Sequence, residues 1–187
     1  MKNTALTLVR ENYVKIILFS VLFLFLYFLL GPTVKFAIVI VLFISLGALS
    51  TMYYNFFHGP INFELVKLGT ILISITYGVW PAIMAGIIAS ILGRVLSGRI
   101  DHRTILSIFG IIVMATAAHF FAANASPQNI VWIGTGLVIL YHAILTPLSL
   151  ALGDRPWFLV PYALSNIFFN FLLFKYIAPF LLPAIQP

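Results

Sequence analysis

The chain is 187 residues long, 63% apolar and 7% charged, with a mean hydropathy of +1.14 and a net charge of +6. Soluble domains carry about 25% charged residues, so this sequence cannot cover itself with a water-facing surface. That excludes a soluble catalytic domain and points to an all-α integral membrane protein, a single transmembrane domain over residues 1–187. Its Lys and Arg residues cluster at the ends of apolar runs, a topogenic pattern rather than a nucleic-acid footprint. The absence of cysteine removes disulfides, thiolate nucleophiles and Cys-ligated metal sites.

Lys2, Arg10 and Glu11 precede an apolar run from Lys15 to Leu30. No small-x-small cleavage site follows it, only Gly31-Pro32 and a new run, so an uncleaved first helix is expected. The second run, from about Val34 to Phe56, closes in the cluster Tyr53-Tyr54-Asn55-Phe56-Phe57-His58, which suits an interfacial belt. A hairpin comes next, with helix three from about Phe63 to Tyr77, a turn at Gly78-Val79-Trp80-Pro81, and helix four from about Pro81 to Leu96. In helix four, Ala82, Gly86 and Ser90 lie four apart, as do Ala85, Ala89 and Gly93. Such small-residue stripes let helix backbones approach closely in lipid, so helix four is expected at the centre of the bundle.

The segment Arg94 to Arg103 holds three arginines, an aspartate and a histidine, and reads as a solvated, topogenic loop or an anionic-lipid contact. Helix five runs from about Thr104 to Ala122. Helix six, about Val131 to Leu152, places Thr135, His142, Thr146 and Ser149 on one face. Helix seven, about Phe158 to Leu182, carries Tyr162, Asn166 and Asn170 at four-residue spacing. Polar residues within spans normally turn inward, so these two stripes are expected to face each other or a cavity. The resulting architecture is a polytopic bundle of about seven transmembrane helices, a six-helix core plus an extra N-terminal helix, or six spans if one hairpin arm is re-entrant.

Under seven spans, Lys2, Arg10, Lys15, Lys67, Arg94, Arg99, Arg103 and Arg155 fall on one side and Lys35 and Lys175 on the other. The positive-inside rule then predicts a multi-pass protein of the cell membrane with a cytoplasmic N-terminus and hairpin mouth.

Antiparallel arms bring Glu64, Lys67 and Arg94 to one membrane face, where a cation pair can clamp a carboxylate or phosphate. The simpler reading stays open: Glu64 and Lys67, at i and i+3, pair with each other while Arg94 snorkels to the headgroups. Likewise His142, Tyr162, Asn166 and Asn170 either line a cavity or join helices through hydrogen bonds. No histidine has a second ligand at i+3 or i+4, so no metal site is expected. No catalytic motif, nucleophile elbow or phosphate-cradling loop is present, so neither an enzyme nor a bound cofactor is expected.

The hairpin from Glu64 through Lys67, Gly69, Tyr77-Gly78, Pro81, Ala85-Gly86 and Gly93-Arg94-Val-Leu-Ser-Gly98 resembles that of the membrane-sensor domain of LytS-type histidine kinases. Lys67 stands where that family has its opening basic residue and Arg94 matches the closing one. The hairpin is also similar to that of the S components of energy-coupling-factor transporters, and the layout is faintly MreD-like. The turn Tyr77-Gly78-Val79-Trp80-Pro81 departs from the families' Gly-Gly-Pro, and both ligand-binding families place this mouth outside the cell. The S-component resemblance implies a membrane-embedded, substrate-capture subunit for a small polar, anionic solute. Lys67 and Arg94 would hold the anion, Glu64 would orient Lys67, and His142, Tyr162, Asn166 and Asn170 would complete the cavity. Besides the lipid bilayer and the solute, it implies a coupling subunit and ATPases as partners, since the chain has no nucleotide motif. A stand-alone sensor acting through a signalling partner, and a structural subunit of a larger membrane complex using the small-residue stripes, are the alternatives.

Overall fold

The computed structural model describes residues 31–52, 61–98 and 100–186, with the isolated positions Leu18, Val21, Leu22 and Phe25. Apart from those positions, the expected first helix lies outside the described residues, as do the cluster Tyr53 to His58 and Arg99. All regular elements among the described residues are helical: α1 (Gly31–Ser50), α2 (Val66–Tyr77), α3 (Val79–Leu96), α4 (His102–Phe120), α5 (Ile130–Ala151), α6 (Pro156–Tyr176) and α7 (Ala178–Ile185), with a 3-10 turn at Ala122–Asn124. The chain divides into two compact units between Ala37 and Ile38, inside α1, and the larger unit holds the remaining helices.

Five helices, α1 and α3 to α6, are long and apolar enough to cross a membrane. In α3 to α6 the most apolar windows have mean hydropathies of 1.6 to 1.8, yet only 33–39% of their residues are buried within the protein. The outward faces of these helices carry Met84, Ile105, Phe168 and many similar side chains, an exterior that favours an apolar solvent.

Two expectations of the sequence need correction. The first arm of the hairpin is not a full span. Its helix begins only at Val66, because the segment before it has no regular structure and is tied down on both sides: the Asn62 N–H donates to Ser165 Oγ at 3.0 Å and the Leu65 N–H to Ser50 Oγ at 2.9 Å. The 12 residues that remain reach about 18 Å, well short of a hydrocarbon core of about 30 Å. The last predicted helix, Phe158 to Leu182, breaks at Ile177 into α6 and the eight-residue α7. Pro179 explains the break, since it lacks an N–H and its ring would collide with the carbonyl four residues earlier. α7 then folds back with Ala178 and Leu182 fully buried, and Ile185 O accepts the Tyr77 hydroxyl at 2.6 Å. About seven spans thus becomes five helices of spanning length and two short ones among the described residues.

The centre of the unit is α2, not the small-residue helix α3. Every residue from Val66 to Ile75 is buried, and α2 touches each of α3 to α7. Its polar groups are satisfied inside the protein: Thr70 Oγ1 donates to Val66 O at 2.8 Å and Ser74 Oγ to Ala115 O of α4 at 2.6 Å. Gly78 alone separates α2 from α3, at φ +97°, a backbone that a residue with a Cβ adopts only under strain. α3 therefore starts at Val79, and Pro81 sits in its first turn, where no N–H is needed.

One face of α3 is small and buried: Ala82, Ala85, Gly86, Ala89, Ser90 and Gly93. A Cβ added at Gly86 would stand 2.8 Å from Ile111 of α4, and one added at Gly47 of α1 would stand 3.0 Å from the Ala89 Cβ. The stripe thus brings α3 close to α1, α2 and α4, while Trp80, Met84 and Val95 face outward.

Candidate functional site

One end of the unit opens into a cavity of about 460 Å³. The C-terminal ends of α3 and α5, the N-terminal ends of α4 and α6, Thr51, and the tethered segment before α2 all reach it. Each charged group there owes its position to a local device. Glu64 is carried by the irregular segment pinned to Ser50 and Ser165. Arg94 lies in the last turn of α3, where a cation complements the helix dipole. Asp101 precedes the first turn of α4 and donates its N–H to Thr104 Oγ1 at 3.2 Å, half of a capping box. Asp154 follows Gly153, whose φ of +93° turns the chain out of α5, and its own N–H donates to Ser149 O at 3.0 Å.

Three ion pairs result. Lys67, 2% exposed, is bound by Glu64 and lies 4.4 Å from the centroid of the Tyr141 ring. Arg94 meets Asp101 through one contact of 3.3 Å, and the Asp101 carboxylate is 42% exposed. Arg103 holds Asp154 in a fork, Nη2 to Oδ1 at 2.6 Å and Nε to Oδ2 at 3.0 Å, with the carboxylate 6% exposed and His102 Nε2 3.5 Å away. The Arg103 hydrogen bond holds the Asp154 carboxyl below its ordinary value of 3.8, since it favours the ionised form. Arg103 also lies 5.1 Å from the Phe158 ring centroid.

A polar ladder runs back from the cavity between α5 and α6. His142 Nε2 and Asn166 Oδ1 are 2.8 Å apart, joining α5 to α6. Asn170 Nδ2 donates to Asn166 O at 2.9 Å, one turn deeper. Asn166 Nδ2, Asn170 Oδ1 and Thr135 Oγ1 are buried without a hydrogen-bond partner among the described residues. A second set of hydroxyls links three helices, with Ser90 Oγ 3.2 Å from Ser107 Oγ and Tyr141 OH donating to Ser107 Oγ at 3.4 Å.

Of the residues singled out from sequence, Glu64, Arg94, His142 and Tyr162 line the cavity. Lys67 does not: it is sealed behind Glu64 and Tyr141, so its ammonium acts on the site through the carboxylate it holds. Asn166 and Asn170 stand behind His142 rather than on the wall. The sequence reading of helix six already placed His142, Thr146 and Ser149 on one face, and all three face the cavity. It missed Tyr141, Phe158, Asp101 and Arg103 as lining residues, and it treated the last two as loop. The Arg103–Asp154 pair spans 51 positions, and no local pattern announces it. Among the described residues no cluster of His, Asp and Glu has the makings of a metal site.

Compared with known protein families, with curated proteins and with solved structures, the chain matches none.

Proposed function

We propose that this is a multi-pass membrane protein that binds a small polar solute bearing an anionic group in the cavity at the mouth of the bundle, as the capture subunit of a transport system. The observation that carries this reading is the convergence of charged and hydroxyl side chains from four spanning-length helices and the Glu64 segment on one cavity of about 460 Å³, in a chain whose exterior is apolar. Its size suits small ligands, which bind in concave sites of about 300–1,000 Å³ with a few well-placed polar groups. Arg94 is the anion-holding residue: it reaches the cavity, and among the described residues its partner is the exposed Asp101 carboxylate, through a single long contact. Glu64, backed by the buried Lys67, supplies the acceptor, and His142 with Tyr162 closes the wall. Chemistry on the solute is not part of the reading, and no nucleophile–base pair faces the cavity among the described residues. Coupling to energy falls to partner subunits.

The test is thermal unfolding of the purified protein against a panel of small carboxylates, phosphates and amino acids. Stabilisation by a subset, lost in Arg94→Ala, is the expected result. No stabilisation across the panel, together with a stoichiometric co-purifying membrane protein, would overturn the reading in favour of an assembly subunit.

A further inference from the structure

Among the described residues, the charges that edge the cavity are balanced. Glu64, Arg94, Asp101 and Arg103 line it, two of each sign, and the two outside partners, Lys67 and Asp154, again cancel. A site of this kind in a low-dielectric bundle accepts a net charge poorly, because the added charge has no counter-charge to meet. It accepts a ligand that brings one charge of each sign.

The three pairs are also unequal. The Arg103–Asp154 fork is closed by several contacts, and the Lys67–Glu64 pair is backed by burial of Lys67. The Arg94–Asp101 contact is single, long and exposed, and it yields most readily to a competing anion. A ligand anion on Arg94 then has Glu64 on the same cavity wall system, and a carboxylate that holds one lysine retains further acceptor sites for an ammonium.

Resting on the solute-binding reading, we propose that the ligand is a small zwitterion, with its carboxylate or phosphate on Arg94 and its ammonium on Glu64. The same chemistry is offered by a free amino acid or betaine and by a phosphoethanolamine headgroup, and the experiment separates the two. Detergent-purified protein is titrated calorimetrically with leucine, phenylalanine, glycine betaine and the phosphodiester glycerophosphoethanolamine, and with the single-charge counterparts N-acetyl-leucine and leucinamide. A lipid arm compares short-chain phosphatidylethanolamine with phosphatidylglycerol. The expected result is binding of at least one two-charge compound about tenfold or more tighter than its one-charge counterparts. A preference confined to the lipid arm assigns the headgroup as ligand, and one in the soluble arm assigns the free solute. Since Glu64→Gln alone strands a buried lysine, the double variant Glu64→Gln/Lys67→Met is used as well. It should abolish the preference for a zwitterion, whereas Arg94→Ala should weaken two-charge compounds and one-charge acids alike. If N-acetyl-leucine binds as tightly as leucine and phosphatidylglycerol as tightly as phosphatidylethanolamine, the zwitterion inference fails and the anion reading stands. If no compound in either arm binds, both fail.

Discussion

Lys67 shows how one residue changes meaning between sequence and structure. At i+3 from Glu64 it reads as either the partner of that carboxylate or an anion clamp, and the fold shows the pair, with Lys67 buried against the carboxylate and an aromatic face. Removing one member of such a pair strands the other in a medium that solvates it poorly. Lys67→Met should therefore destabilise the protein by about 3 kcal/mol or more, and Lys67→Met/Glu64→Gln by much less. Chemical unfolding of the two variants in micelles checks this, and equal losses in both would mean the pair is not coupled. Asp154 offers a second test, outside the spans. Its folded-state value is lowered, so its contribution to stability is complete above the ordinary value of 3.8 and disappears as pH falls through the lower folded value. Acid unfolding of Asp154→Asn should accordingly show a shallower loss of stability below about pH 4 than the parent protein. A parallel loss in both proteins would remove Asp154 from the account. Neither residue's environment was legible in the sequence, because burial and the pairing of Arg103 with Asp154 are properties of the assembled helices.

At the scale of elements, the small-residue pattern of α3 was legible and its place in the bundle was not. Ala82, Gly86 and Ser90, with Ala85, Ala89 and Gly93, form one buried face as their spacing requires. Yet the helix they serve is α2, whose sequence scatters Lys67, Gly69, Thr70 and Ser74 among bulky apolar residues and does not advertise its central position. A stripe of small residues marks a close crossing, whereas a helix buried all round needs no stripe. α5 supplies a controlled pair of substitutions. A Cβ at Gly134 would overlap the Phe174 ring, while one at Gly136 meets nothing within 4 Å. Gly134→Ala should cost about 1–3 kcal/mol through overpacking, and Gly136→Ala should be neutral or stabilise by up to about 1 kcal/mol. Thermal unfolding of the two variants reads the difference directly, and equal effects would contradict the packing described for α5 and α6. The break at Ile177 was legible in principle from Pro179, but the unbroken hydropathy of Phe158 to Leu182 outweighs one proline in any sequence reading.

For the molecule as a whole, the cavity end gathers Arg94, Arg103, Arg155 and His102, and the other end of the larger unit carries Lys175. The positive-inside rule predicts a cytoplasmic cavity, opposite to the mouth of the families that the hairpin resembles. Trp80 and Trp132 at one end and Trp157 at the other, all strongly exposed, are suited to the two interfacial belts. Since the native chain has no cysteine, single Ser97→Cys and Gln128→Cys variants report the two ends separately. A membrane-impermeant maleimide applied to intact cells should label Gln128→Cys and spare Ser97→Cys. The reverse pattern would show that the cations at the cavity answer to a ligand rather than to topology. By itself the sequence determined the solvent and the helical class, because 63% apolar composition and long uncharged runs admit few other outcomes. It also determined the inward faces of α3, α5 and α6, because helical periodicity is a local property. Only the tertiary structure decided which helix is central, that the hairpin's first arm stops short of a full span, and that three ion pairs ring one cavity. Those outcomes depend on tethers and contacts between segments far apart in the chain, such as Asn62 to Ser165 and Arg103 to Asp154, whose partners are chosen by packing rather than by spacing.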